Sequence, residues 1–132
     1  MAEFIMKQLV DQAGRADEFE IASAAVSTEE TGNDIYLPAK RMLAAKGVPF
    51  AHRAARQMTP GDYAYYDYIV CMDQSNLRWM RYIIGEDPAH KVSLMMAWTG
   101  ANRDVADPWY TGDFAKAYDD ILKGCKSMLL SI

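Results

Sequence analysis

The first hydrophobic stripe lies at the amino end of the chain. Between Met1 and Ala13 apolar residues recur every three or four positions and Gly14 follows them, so this segment is predicted to form an amphipathic helix. No Ser, Thr, Asp or Asn precedes it, so the helix lacks a side-chain N-cap. The same spacing, with proline or aspartate at the start, predicts four further helices: Ala39–Lys46, Pro60–Tyr66, Gln74–Ile84 and Phe114–Leu129.

Three segments have the pattern of β-strands. Tyr68–Met72 is a continuous apolar run between two aspartates, which is typical of a strand buried on both faces, and Val92–Met96 is similar. Phe19–Val26 alternates weakly and becomes rich in small residues. Strands that alternate with helices predict an α/β fold with a parallel sheet, whose functional groups lie at the carboxyl ends of the strands. Three strands are fewer than such a domain usually needs.

Composition and charge narrow the class of protein. The chain has 132 residues, of which 51% are hydrophobic and 24% charged, so we expect a single domain over residues 1–132. The net charge of −4 offers no basic face to a nucleic acid. No apolar run approaches the roughly 20 residues that span a membrane, and no signal peptide is evident. We therefore expect a cytoplasmic protein with no nucleic-acid or membrane partner.

The strongest candidate for chemistry is the sequence Asp107-Pro108-Trp109-Tyr110. An acid held by a proline and flanked by two aromatic rings can serve as a general acid beside an aromatic substrate. An ordinary Asp-Pro turn explains the same four residues. The spacing alone leaves both interpretations open.

Ser23 and His52 are weaker candidates. A small hydroxyl at a strand end and a histidine before a basic stretch can support an active-site loop through hydrogen bonds. A turn serine and a surface histidine are the alternative. Arg53 and Arg56 can likewise bind a phosphate or remain solvated surface charges.

Both cysteines are predicted to be reduced core thiols, because each lies in an apolar segment. A phosphate-binding pair of Cys71 and Arg78 is disfavoured, since six residues separate them where a C-x5-R loop has five. Cys125 has no arginine after it. No cluster of His, Cys and carboxylate residues has metal-ligand spacing and no glycine-rich nucleotide loop is present, so no metal or cofactor is expected.

Four separated stretches together resemble one known family. In chain order they are MAEFIMKQLV, SAAVSTEETGN, HRAARQMTPGDYAYYDYIVCMDQSNLRWM and DPWYTGDFAKAYDDI. They look like the low molecular weight protein tyrosine phosphatases over essentially the whole chain. The resemblance implies a flavodoxin-like three-layer α/β fold, in which helices flank a parallel four-stranded sheet of order 2-1-3-4.

The resemblance also implies a mechanism and roles for five residues. A cysteine thiolate in a C-x5-R-S loop attacks phosphotyrosine, and water then hydrolyses the phosphocysteine. Asp107 would be the general acid, and Trp109 and Tyr110 would form one wall of the substrate cleft. Ser23 and His52 would belong to the network that supports the phosphate loop.

Two departures from the family pattern matter. Glu29 lies in a stretch where members often carry a Trp or Tyr that contacts the substrate ring, so acidic neighbours of the phosphotyrosine are expected to be repelled. In the family, the first strand and its C-x5-R-S loop stand directly before the helix that here begins at Met1. We therefore expect the central strand and the nucleophile to be missing, and the chain to be inactive.

The missing strand would also weaken the fold. Burial of each large apolar side chain contributes about 1.5–3 kcal/mol, and a whole domain is stable by only about 5–15 kcal/mol. The chain is thus expected to be marginally stable and to self-associate through open sheet edges.

Three functional hypotheses follow. The first is a phosphatase for phosphotyrosine proteins or small aryl phosphates. The second is a catalytically dead phosphatase-like module that accepts a strand from a partner. The third is an arsenate reductase, which would need closely spaced redox cysteines.

Overall fold

The computed structural model describes residues 1–26, 36–52, 54–107 and 112–132. Within these ranges it contains five α-helices and two β-strands. In chain order they are α1 (Ala2–Gln12), α2 (Leu37–Ala45), α3 (Pro60–Tyr65), β1 (Ile69–Cys71), α4 (Gln74–Ile84), β2 (Val92–Leu94) and α5 (Phe114–Ser131). Every helix predicted from the sequence is present.

The two strands form a parallel pair, with Ile69 opposite Val92 and Cys71 opposite Leu94. α4 makes the crossover between them, as a parallel connection requires. This β-α-β unit confirms the predicted α/β class. β2 is shorter than predicted, because the chain turns at Met95 into a 3₁₀-helix over Met95–Thr99.

The prediction of a strand over Phe19–Val26 is wrong for most of its length. Within the part of the chain that the structure describes, this segment forms one isolated bridge, between Ala25 and Gln57. The N–H of Ala25 donates to the carbonyl of Arg56 and the N–H of Met58 donates to the carbonyl of Ala25, both at 2.8 Å. Two backbone hydrogen bonds do not make a ladder, and the small residues here add little packing that could extend it.

Side chains of β1 point to both faces of the sheet. Ile69 and Cys71 belong to a small core with Met58 and Met80 beneath α4, while Val70 packs against the larger core. That larger core is built mainly from α1, α2, α5 and the 3₁₀-helix. Its largest fully buried side chains are Ile5, Leu43, Met96 and Cys125. Helices therefore cover both faces of β1.

α5 packs closely on the 3₁₀-helix through Gly124. A Cβ at this position would lie 2.5 Å from the Sδ of Met95 and 3.1 Å from its carbonyl oxygen. The glycine therefore allows the helix to approach the chain just after β2. This contact fixes α5 against the sheet, and α5 in turn carries a residue of the candidate site.

Candidate active site

The carboxyl end of β1 is joined to the segment that carries Asp107. The carbonyl of Met72, directly after β1, accepts a hydrogen bond from the N–H of Val105 at 2.9 Å. Val105 is buried, whereas Asp107, two residues further on, is exposed. Asp107 thus lies near the carboxyl ends of the strands, where parallel α/β folds bind their ligands.

The start of α4 also lies at the carboxyl end of β1. Asp73 is its N-cap and accepts a hydrogen bond from the N–H of Asn76 at 2.7 Å, as its position before the helix predicts. Asn76 in turn accepts one from the N–H of Met72 at 3.1 Å. The N–H of Gln74 donates to Asp104 at 3.0 Å, which ties the Asp107 segment to the first turn of α4.

A buried carboxylate on α5 provides further anchors. Asp120 is 1% exposed and accepts two hydrogen bonds from the guanidinium of Arg103, at 2.9 and 2.7 Å. It also accepts the N–H of Ala106 at 3.0 Å. The hydrogen bonds from Arg103 hold the pKa of Asp120 well below its usual range, against the opposing effect of burial, so the carboxyl is ionised at neutral pH.

Sequence reasoning missed Asp120 and Arg103. The available signal was a carboxylate at a position of α5 whose helical neighbours, Ala117, Ile121 and Gly124, are all buried. A buried charge is retained only when its hydrogen-bonding capacity is satisfied, so such a residue implies a partner. The partner could not be identified from spacing, because it lies in a loop before the helix.

Ser23 lies against the first helix. Its hydroxyl donates to the Oε1 of Glu3 at 2.6 Å, and the other carboxylate oxygen of Glu3 binds Lys7 at 2.7 Å. His52 is exposed in the connection between α2 and α3. Three further predicted site residues lie outside the described residues: Glu29, Trp109 and Tyr110.

The cysteines are core thiols, as predicted. Cys71 is 3% exposed, and burial, reinforced by the charge of Asp73, raises its pKa to about 11. Cys125 is 2% exposed, and burial raises its pKa to about 12. The two thiols belong to different cores, which does not fit the closely spaced redox cysteines of an arsenate reductase.

Two negative findings apply to the described ranges only. There, no three side chains of the types that bind metals converge on a possible ion site. No helix within those ranges is long and apolar enough to cross a bilayer.

Comparison with known proteins identifies the family. The family model for low molecular weight phosphotyrosine protein phosphatase matches residues 1–132. The rat protein of that name is 33% identical over 134 residues, which cover 98% of this chain and 84% of the rat protein. The chain therefore belongs to the low molecular weight phosphotyrosine protein phosphatase family.

Solved structures agree with this assignment. The crystal structure of YfkJ from Bacillus subtilis matches with a TM-score of 0.93 and 28% identity, over 99% of this chain and 84% of that one. A Drosophila arginine phosphatase matches with a TM-score of 0.85 and 27% identity, over 98% of this chain and 87% of that one. The α/β fold is thus the fold of solved members of the family.

Proposed function

We propose that these 132 residues supply the general-acid side of an active site that hydrolyses phosphotyrosine through a phosphocysteine intermediate, with Asp107 as the acid. The observation that carries the proposal is the attachment of the Asp107 segment to the end of β1, through the 2.9 Å hydrogen bond between Val105 and Met72. Family membership supplies the class of reaction.

The reaction has two steps, and Asp107 acts in both. In the first, a thiolate attacks phosphorus, the bond from phosphorus to the phenolic oxygen breaks, and the Asp107 carboxylic acid protonates the leaving phenolate. In the second, the Asp107 carboxylate takes a proton from water as the water oxygen attacks phosphorus. The bond from sulfur to phosphorus then breaks and releases phosphate and the thiolate.

The attacking thiolate comes from outside these 132 residues. Two raised thiol pKa values support this: at pH 7 a group of pKa about 11 is ionised in only about one molecule in 10⁴. Cys71 and Cys125 also lack the C-x5-R spacing that would place a guanidinium beside the phosphate. The chain by itself is therefore proposed to be inactive.

The open edge of β1 is the proposed place for the strand that carries the nucleophile. The N–H of Ile69 donates to the carbonyl of Lys91, so alternate backbone groups face β2 and those of Val70 face the opposite edge. Within the described residues, no backbone hydrogen bond pairs Val70 on that edge. A parallel strand there would lie between β1 and Phe19–Val26, in the order 2-1-3-4.

Five further residues have proposed roles at this site. Trp109 and Tyr110 follow the general acid and form a wall for the substrate ring. Glu29 disfavours acidic residues beside the phosphotyrosine. Ser23 and His52 support the phosphate loop, and the hydrogen bond from Ser23 to Glu3 holds the serine beside the start of α1.

The test uses a fused protein, in which an apolar strand and a C-x5-R-S loop of the family pattern precede Met1. We expect the fused protein to hydrolyse a phosphotyrosine peptide and p-nitrophenyl phosphate. The 132-residue chain alone should give no turnover above the uncatalysed rate. The matched control is the fused protein with Cys→Ser in the added loop, which should also be inactive.

Two outcomes would contradict the proposal. Turnover by the chain alone, abolished by Cys71→Ser, would assign the nucleophile to these residues. Folding of the fused protein without turnover would favour the strand-accepting module instead. Phosphoarginine serves as the comparison substrate, because one solved relative is an arginine phosphatase.

A further inference from the structure

The segment from Arg103 to Asp107 has no regular secondary structure, but hydrogen bonds of four of its residues attach it to the rest of the fold. Asp104 and Val105 bind the start of α4 and the end of β1. Arg103 and Ala106 bind one buried carboxylate, that of Asp120. The segment is thus fixed to three elements of regular structure, β1, α4 and α5, and Asp107 is the residue next to Ala106.

The carboxylate of Asp120 accepts its hydrogen bonds from this segment. Three of its hydrogen bonds come from the loop, at 2.7, 2.9 and 3.0 Å, and Lys116 lies 3.7 Å away on the same helix. An ionised carboxylate with a side chain only 1% exposed is costly to bury, and an apolar residue would pack there at lower cost. What the carboxylate adds over an apolar residue is a fixed direction for the chain between Arg103 and Ala106.

We propose that Asp120 is a positioning residue for the general acid. Its Oδ2 fixes the N–H of Ala106, and its two bonds to Arg103 fix the chain three residues earlier. The peptide unit between Val105 and Ala106 therefore has one direction. Ala106 leads directly into Asp107, whose carboxyl is held where the leaving oxygen departs. The proposal rests on the proposed function of Asp107 and adds the residue that orients it.

A purely structural role makes a different prediction. If Asp120 only stabilised the fold, its loss would lower the fraction of folded protein. Activity on every substrate would then fall by the same factor. In the first step, a misplaced acid slows only the reactions that need a proton on the leaving group. kcat/KM reports this step, whereas hydrolysis of the phosphocysteine is the same for every substrate and affects kcat alike. Phenyl phosphate has a basic leaving group and needs the acid, whereas 2,4-dinitrophenyl phosphate has an acidic one and does not.

The experiment compares Asp120→Asn with Asp119→Asn in the fused protein. Asp119 precedes Asp120 on α5 and is exposed, so its variant removes the same charge without touching the loop. For Asp120→Asn we expect kcat/KM with phenyl phosphate to fall by about 10²-fold, the cost of misplacing a catalytic group by about 1 Å. kcat/KM with 2,4-dinitrophenyl phosphate should fall by less than about twofold, and Asp119→Asn should match the parent on both substrates.

Amide hydrogen exchange gives a second readout that needs no activity. In the same fused protein, Asp120→Asn should speed exchange of the Ala106 amide, and Asp119→Asn should not. If Asp120→Asn does not fold, Arg103→Gln replaces it; this residue is 45% exposed and its loss breaks only two of the three bonds. Arg103→Gln should also lower activity on phenyl phosphate and speed exchange of the Ala106 amide. Both effects should be smaller than those expected for Asp120→Asn.

Specific results would overturn the proposal. An equal fall in kcat/KM for both phosphates, or unchanged exchange of the Ala106 amide, would reduce Asp120 to a stabilising residue. The reference variant is Asp107→Asn: if its loss of kcat/KM shows no dependence on the leaving group, the proposed function itself fails. If it shows that dependence and Asp120→Asn does not, the function stands and the positioning role is wrong.

Discussion

In the fused protein, Asp107→Asn is expected to lower kcat for p-nitrophenyl phosphate by about 10²–10⁴-fold, the usual contribution of a positioned general acid. Asparagine has the shape of aspartate but cannot give a proton to the leaving phenolate or take one from water. Both steps of the proposed reaction therefore slow, while substrate binding is unchanged. The measurement is steady-state kinetics at neutral pH, with the circular dichroism spectrum as a check on folding.

The matched control for this variant is again Asp119→Asn, which removes an exposed carboxylate from α5. Its kcat should stay within about twofold of the parent. If Asp107→Asn retained full activity, Asp107 would be an ordinary turn residue. The open alternative from the sequence, an Asp-Pro turn with no catalytic part, would then be the correct interpretation.

The second large effect concerns stability. Asp120→Ala should lower the free energy of unfolding by about 3 kcal/mol, because it removes the acceptor of the Ala106 N–H and of a bidentate ion pair. Arg103 can turn to solvent, which keeps the loss at the lower end of the range for buried pairs. The melting temperature should fall by about 10 °C, while Asp119→Ala should change stability by less than about 0.5 kcal/mol.

The same contribution depends on pH in a defined direction. Arg103 lowers the pKa of Asp120 in the folded protein below the value of about 3.9 in an unfolded chain. The stabilisation by Asp120 is therefore complete above about pH 5 and declines as the pH falls below about 4. Melting temperatures of the parent and Asp120→Ala should converge in acid; a constant difference down to pH 2 would contradict this explanation.

Local signals in the sequence located the helices well. Thr59 and Asp73 begin α3 and α4, and in the structure each side chain accepts a backbone N–H of the first turn. These contacts span only three residues, so sequence spacing is enough to predict them. β1 was predicted for a similar reason, because an unbroken apolar run between two aspartates needs no knowledge of its partner.

Features that depend on distant partners were not predictable in this way. Phe19–Val26 has weak strand character, and its pairing depends on which backbone lies beside it. Asp120 binds Arg103 and Ala106, which are 17 and 14 residues away along the chain. The resemblance to the family identified the candidate acid, whereas the buried group that orients its loop became visible only in three dimensions.

The most direct measurement is a crystal structure of the fused protein with vanadate bound to the cysteine of the added loop. The prediction is that the Asp107 carboxyl lies within about 2.6–3.2 Å of the apical vanadate oxygen, the position of the leaving phenolate. The hydrogen bonds from Val105 to Met72 and from Ala106 to Asp120 should be retained. An apical oxygen that is bound by another acid, or by solvent with Asp107 turned away, would contradict the assignment of Asp107 as the general acid.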